Sequence, residues 1–154
     1  MPAMRFLLLV VVGTMTLGGL LDQIHVQRDD YTWLTAEEIT LAEQVRAATP
    51  ADAVFATGLQ SSHPVSMLGG RLVVMSYRGW LWPRGIDTAP TERDLRRIFA
   101  LDPAAPALIA AHNISFVVID TWVRENFTPN EAGYRARYPV VAETEHYVVF
   151  DVRG

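Results

Sequence analysis

Apolar residues follow three regimes along this chain. From Phe6 to Leu21, FLLLVVVGTMTLGGLL, no residue is charged. From Thr35 the apolar positions recur at helical spacing: Ile39, Ala42 and Val45, with Arg46 beside them. Thr35-Ala-Glu-Glu sets a Glu three residues after a Thr, a capping box that starts a helix. Pro50 disfavours helical geometry in the residue before it, so that helix should end near Thr49. Beyond it come short apolar bursts: 53–57, 72–75 after Gly69-Gly70, and 115–120, the strongest strand signal. Between the last two, 91–101 carries Leu95, Ile98 and Phe99 on one helical stripe, followed by 106–112. The end of the chain, 138–143 and 147–152 around Thr144-Glu145-His146, reads as an antiparallel pair. Strands alternating with helices predict an α/β fold: a mostly parallel sheet flanked by helices, with a C-terminal β-hairpin, preceded by one N-terminal transmembrane helix.

The domain reading is residues 1–22 as a transmembrane anchor or signal segment, 23–34 as a juxtamembrane connector, and 35–154 as an extracytoplasmic α/β domain. A span needs about 20 apolar residues, and Met4 with a snorkelling Arg5 brings the run close to the lower limit. Arg5 and the free amine flank it on one side, which orients the N-terminus to the cytoplasm and the domain outside. This makes a single-pass protein of the cell membrane. A cleaved signal peptide competes, without an A-x-A-like site to support it. A buried core helix also competes, against Gly13, Gly18 and Gly19 and the lack of amphipathic spacing. In the connector, Tyr31 and Trp33 suit either the headgroup level or the edge of the core.

Composition narrows the chemistry. With 154 residues, half of them hydrophobic, the chain can bury one core. It has no cysteine, which excludes disulfides, thiolate metal sites and a Cys nucleophile. Its 13 basic residues face 17 acidic ones, a net charge of −4 that argues against a nucleic-acid partner. All the basic residues are Arg, so Schiff-base and phosphate-loop lysines are excluded. The histidines have no metal-ligand spacing, and neither G-x-S-x-G nor G-x-G-x-x-G occurs. No metal and no cofactor are expected.

Residues 58–97 are dense in Gly, Pro, Trp, Arg and a His. Loops leaving the carboxyl ends of the first two strands should carry them to one crevice. His63, held extended by Pro64, reads as a ligand or proton-transfer group, or as a histidine hydrogen-bonded into the structure. Arg71 suits an anion, or a salt bridge to Asp87 or Glu92. Trp80 and Trp82, two apart in an extended segment, would face one side with Tyr77 beside them, for stacking on a sugar or for plugging the sheet end. Asp87 and Arg93 supply charge before and within the next helix. Asp120 ends the strongest strand, as a site residue or a helix cap. These eight are the ligand-binding candidates; no catalytic set is assigned.

The pattern H-P-x-x-x-L-x-G-R (63–71), then Y-x-G-W-L-W-x-x-G-I-D (77–87), then E-R-D-L-R (92–96) resembles the soluble region after the last membrane helix of polytopic bacterial glycosyltransferase-like proteins, the multi-helix type that uses lipid-linked sugars. The likeness spans about Phe55 to Arg97, and Arg78 stands where that family carries Pro. The acidic catalytic loop of such enzymes has no counterpart here. The resemblance therefore implies a fragment, a split partner or a free-standing tail module without transferase activity of its own. The expectation is a membrane-anchored accessory or binding domain of the cell envelope whose partners are the bilayer and a polytopic membrane protein or lipid-linked sugar. The alternatives are a small stand-alone hydrolase using His63 with Asp87 or Asp120, and a structural domain that docks on a membrane partner.

Overall fold

The computed structural model describes residues 2–28 and 32–153 and divides the chain into two compact units, Met1–Trp33 and Leu34–Gly154. Tyr31, considered above as an interface anchor, lies outside the described residues.

The first unit is one helix, α1, Pro2–Arg28. Its candidate span, Ala3–Gln27, is 25 residues long; the most apolar 18-residue window within it has a mean hydropathy of 1.9, and none of that window is buried. At 1.5 Å per residue the whole span exceeds the ~30 Å hydrocarbon thickness of a bilayer. Phe6, Leu7, Leu8, Leu9 and Val10 are consecutive and all exposed, so the apolar surface encircles the helix. The hydroxyls of Thr14 and Thr16 donate back to the carbonyls of Val10 and Val12, 2.9 and 2.8 Å away, so the helix itself satisfies both hydroxyls within the uncharged run. The helix is long and apolar enough to cross a membrane, a property shared with signal sequences; a buried core helix it is not.

The second unit opens with α2, Ala36–Ala48. Its capping box forms as the sequence predicts: Glu38 N–H donates to Thr35 Oγ1 at 3.1 Å and Thr35 N–H to Glu38 Oε2 at 2.7 Å. The buried stripe is Leu41, Ala42 and Val45, whereas Ile39 is exposed. There follow β1 (Val54–Ala56), α3 (Pro64–Met67), β2 (Leu72–Val73), two 3-10 turns (Arg78–Trp80 and Trp82–Arg84), α4 (Ala89–Phe99), α5 (Ala105–Ala111), β3 (Phe116–Ile119), α6 (Thr121–Phe127), α7 (Glu131–Arg137), β4 (Val140–Glu143) and β5 (Val148–Asp151).

The strand order is β2-β1-β3-β5-β4. β1 runs parallel to β2 and β3, while β5 runs antiparallel to both β3 and β4. The sheet is therefore mixed, which corrects the mostly parallel expectation. Its longest parallel-strand neighbour, β3, pairs along its whole length with β5, from Phe116↔Asp151 to Ile119↔Val148. The C-terminal hairpin lies at one edge of the sheet, as the sequence predicts: its second strand, β5, is interior beside β3, and β4 takes the rim, with a register shift between Val140 and Ala142.

Alternation along β3 divides the core. Val117 and Ile119 face the cluster formed by Leu95, Ile98 and Phe99 of α4 with Val123, Phe127 and Tyr134. Phe116 and Val118 face Leu41, Val45 and Val65 beneath α2 and α3. Helices cover both faces, which is why β3 is apolar at every position and wholly buried.

Candidate functional site

β1 and β3 are adjacent and parallel, so the chain leaves both at the same rim of the sheet. After β1 comes the loop that ends at His63, and after β3 comes Asp120. His63 Nε2 lies 3.3 Å from Asp120 Oδ2, and each side chain is only 2% exposed. His63 is the N-cap of α3: its Nδ1 accepts from Val65 N–H at 3.2 Å. That bond places the lone pair on Nδ1 and the hydrogen on Nε2, toward the carboxylate. The contact to Asp120 is close but poorly aligned, and Nε2 has no well-formed hydrogen bond within the protein. The Tyr147 ring stands edge-on to the imidazole, 6.2 Å between centroids.

Asp120 is the N-cap of α6. Its Oδ1 accepts from Val123 N–H at 2.7 Å and its Oδ2 from Gln60 Nε2 at 2.8 Å. Burial pushes its pKa up, but the His63 contact, the Val123 N–H and Gln60 outweigh burial and hold the carboxyl below its ordinary value. On Tyr147, burial and the nearby carboxylates push the phenol well above its usual range.

Gln60 connects this buried pair to a groove of about 470 Å³ lined by Leu59, Gln60, Ser61, Tyr77, Arg78, Glu92, Arg96, Trp122 and Asn126. Its Nε2 is committed to Asp120, and its buried Oε1 has no hydrogen-bond partner in the protein. Turning the amide over would set its oxygen against the carboxylate, so the orientation is fixed. Gly58 makes this fold-back feasible, because a Cβ there would lie 2.2 Å from Gln60 Oε1 and 3.0 Å from the Trp122 ring. Ser76 Oγ donates to the Gln60 carbonyl at 3.3 Å and ties the loop after β2 to the loop after β1. Arg96 is held by the Asn126 carbonyl and Glu92 and lies 4.7 Å above the Phe127 ring. Arg78 has no ion-pair partner among the described residues and faces the groove.

A larger hollow of about 890 Å³ occupies the opposite rim, between Ile109, Ile114, Tyr138 and Val152. Its cations are engaged: Arg153 binds Asp151, and Arg137 stacks 5.3 Å from Tyr138. It lies at the carboxyl end of the antiparallel β5, away from the loops that leave the parallel strands β1, β2 and β3 and carry the sequence-predicted polar groups, and we take the smaller groove as the site.

The eight sequence candidates separate. His63 and Asp120 meet. Tyr77 lines the groove. Asp87 is not their partner: it is exposed and accepts from the N–H of Ala89, the first residue of α4, at 3.0 Å. Arg71 pairs with neither Asp87 nor Glu92. Its guanidinium donates to Thr49 Oγ1 and to the carbonyls of Arg46, Thr49 and Gly69, closing the end of α2. Trp80 and Trp82 do not lie in an extended segment; they occupy consecutive 3-10 turns, so the two-residue alternation of a strand does not set the side they face. Both are exposed and outside the groove lining, and Arg93 is exposed on α4 without an ion pair among the described residues. Gln60, Ser61, Trp122 and Asn126 escaped the sequence reading as site residues. Their one signal was position: each follows a strand carboxyl end or lies within a turn or two of it.

Among the described residues no three His, Asp or Glu side chains converge to hold a metal ion. With Nδ1 occupied by Val65 and Nε2 facing Asp120, His63 has no free lone pair for a substrate proton. No protein-family model matches the chain, and no curated protein matches it at a significant level.

Proposed function

We propose that this chain is a membrane-anchored, extracytoplasmic accessory or binding module resembling the tail module of envelope glycosyltransferase-like membrane proteins, without catalytic activity of its own. α1 is its anchor, with Arg5 on the cytoplasmic flank. The observation that carries the reading is the groove at the carboxyl rim, where two aromatic faces, Tyr77 and Trp122, stand with amide and hydroxyl groups and an uncommitted Arg78. Aromatic faces accept sugar rings, side-chain amides bind their hydroxyls, and a guanidinium binds phosphate bidentately. The fitting ligand is a sugar phosphate, free or lipid-linked.

Calorimetric titration of the full chain in detergent micelles with phospho-sugars, polyprenyl phosphates and glycans tests it. Saturable binding that falls at least tenfold in Arg78→Ala and Tyr77→Ala is expected. A chain that binds none of the three ligand sets overturns the reading.

The hydrolase reading keeps one supporting fact, the 3.3 Å His63–Asp120 contact. It requires turnover of a glycan or phosphate ester that disappears in His63→Ala while the fold persists. The Nδ1 lone pair, occupied by the Val65 N–H, and an Nε2 turned to the buried Asp120 favour the binding module.

A further inference from the structure

The segment Tyr77–Ile86, YRGWLWPRGI, is left unused by the groove except at its first two residues. It is an ordered element. Trp80 N–H donates to the Tyr77 carbonyl at 3.1 Å, Leu81 N–H to Arg78 at 3.0 Å, Arg84 N–H to Leu81 at 3.0 Å and Gly85 N–H to Trp82 at 3.0 Å. Gly85 closes the second turn in the left-handed region, φ 72°, where a side chain is disfavoured. Leu81 packs against the core and roots the segment. From this scaffold the large apolar side chains point outward: Trp80 is 57% exposed, Trp82 78%, Ile86 49% and Tyr77 45%. Trp80 stands edge-on to Tyr77, 6.1 Å between centroids, and the two indoles with Ile86 expose large apolar surface from one ten-residue hydrogen-bonded loop.

Charge says what covers the patch. In a chain of net charge −4, the only charged residues from 77 to 86 are Arg78 and Arg84. Neither has an ion-pair partner among the described residues, and both are exposed. Trp and Tyr beside unpaired Arg is the chemistry of the headgroup region, where amphipathic rings sit at the acyl boundary and guanidinium groups meet lipid phosphates. The same chain carries α1, an apolar helix long enough for a bilayer. One such anchor is enough to present the second unit to lipid.

We propose that Tyr77–Ile86 is a membrane-interface docking element that seats on anionic lipid headgroups, with Trp80, Trp82 and Ile86 at the acyl boundary and Arg84 on lipid phosphate. Arg78 borders the groove as well, so Arg84 is the diagnostic cation. The proposal rests on reading α1 as a bilayer anchor and is independent of what the groove binds.

The test uses the full chain in lipid nanodiscs, in a Trp33→Phe background so that the indole next to α1 is silent. Discs contain lipids spin-labelled near the headgroup, and tryptophan emission is read. Strong quenching is expected, falling several-fold in Trp80→Phe/Trp82→Phe, where Trp122 alone remains. Replacing zwitterionic lipid by phosphatidylglycerol should deepen the quenching, and Arg84→Gln should remove that dependence. A chain retained in the disc whose indoles stay unquenched overturns the docking element, leaves the anchor standing and gives the patch to a protein partner. Quenching that persists in the double Phe variant assigns it to Trp122 and also overturns the proposal. A chain that does not stay with the disc overturns anchor and docking together.

Discussion

Asp120 is the residue on which the rim depends, because one carboxylate satisfies three elements. It caps α6 through Val123, receives the Gln60 amide and faces the His63 imidazole. Truncating it leaves the Gln60 amide and the His63 Nε2 without the carboxylate they face, and a helix without its cap. Each buried group left unsatisfied costs about 1–3 kcal/mol and the lost cap about 1 kcal/mol, against a typical domain stability of roughly 5–15 kcal/mol. Asp120→Ala should therefore lower the urea midpoint sharply. Asp120→Asn, which keeps an oxygen for Val123, should cost distinctly less. A double-mutant cycle with His63→Ala separates the pair from the cap. Coupling of about 0.5–3 kcal/mol is expected for contacting residues, and strict additivity would show that the 3.3 Å approach carries no energy. Both halves of this pair were candidates on sequence grounds, His63 from its place before Pro64 and Asp120 from its place at the end of the strongest strand. Asp87 and Asp120 were equal as partners on sequence grounds. Only the parallel pairing of β1 with β3 decides between them, and no local pattern encodes that pairing.

Among the elements, α2 is legible at its start and not at its end. Thr35 and Glu38 are three residues apart and announce the cap; Arg71 is far along the chain from the carbonyls it closes. Its planar fork reaches the Arg46 and Thr49 carbonyls and the Thr49 hydroxyl together, and the positive charge opposes the negative end of the helix. Arg71→Met should destabilise the second unit by about 1–3 kcal/mol, the range for hydrogen bonds to a charged group. Arg71→Lys should recover little, since an ammonium cannot span the same acceptors. Ligand affinity at the groove should be unchanged in both, and a large loss there would return Arg71 to the binding residues. The hairpin held a signal that the strand–helix alternation masked. Val148, Val149 and Phe150 are apolar in succession and all buried, the mark of a central strand, whereas β4 has exposed Val140 and Glu143 as an edge does. The Trp80–Trp82 segment was misread for another reason: Pro83 and Gly85 favour turn geometry, and such turns do not follow the two-residue alternation of an extended strand.

At the scale of the whole molecule, the two units answer acid differently. Glu37, Asp102, Asp120, Glu131, Glu143 and Asp151 all have pKa values held below the ordinary carboxylate range, and all six belong to the second unit. Burial pushes Glu37, Asp120 and Glu131 up, and their hydrogen-bond donors outweigh it. Arg135 beside Glu143, Arg153 beside Asp151 and the Ala104 N–H on Asp102 act downward first. A carboxyl whose folded pKa is depressed binds its proton more readily when unfolded. Its contribution is complete above the unfolded value of about 4 and is lost as pH falls through the folded one. Glu37 adds a mechanical link, since its carboxylate receives the Thr144 hydroxyl and both the backbone N–H and ring of His146, joining α2 to the β4–β5 turn. α1 has Asp22 as its single carboxylate, and its backbone hydrogen bonds are internal to the helix. Acid titration of the full chain in micelles should accordingly proceed in two parts. Near-ultraviolet dichroism from the packed aromatic core should collapse below about pH 4, where carboxylates of the second unit take up protons, while the far-ultraviolet helical signal of α1 persists. Simultaneous loss of both signals would mean that the units share one cooperative transition, and that the second unit does not stand on its own core.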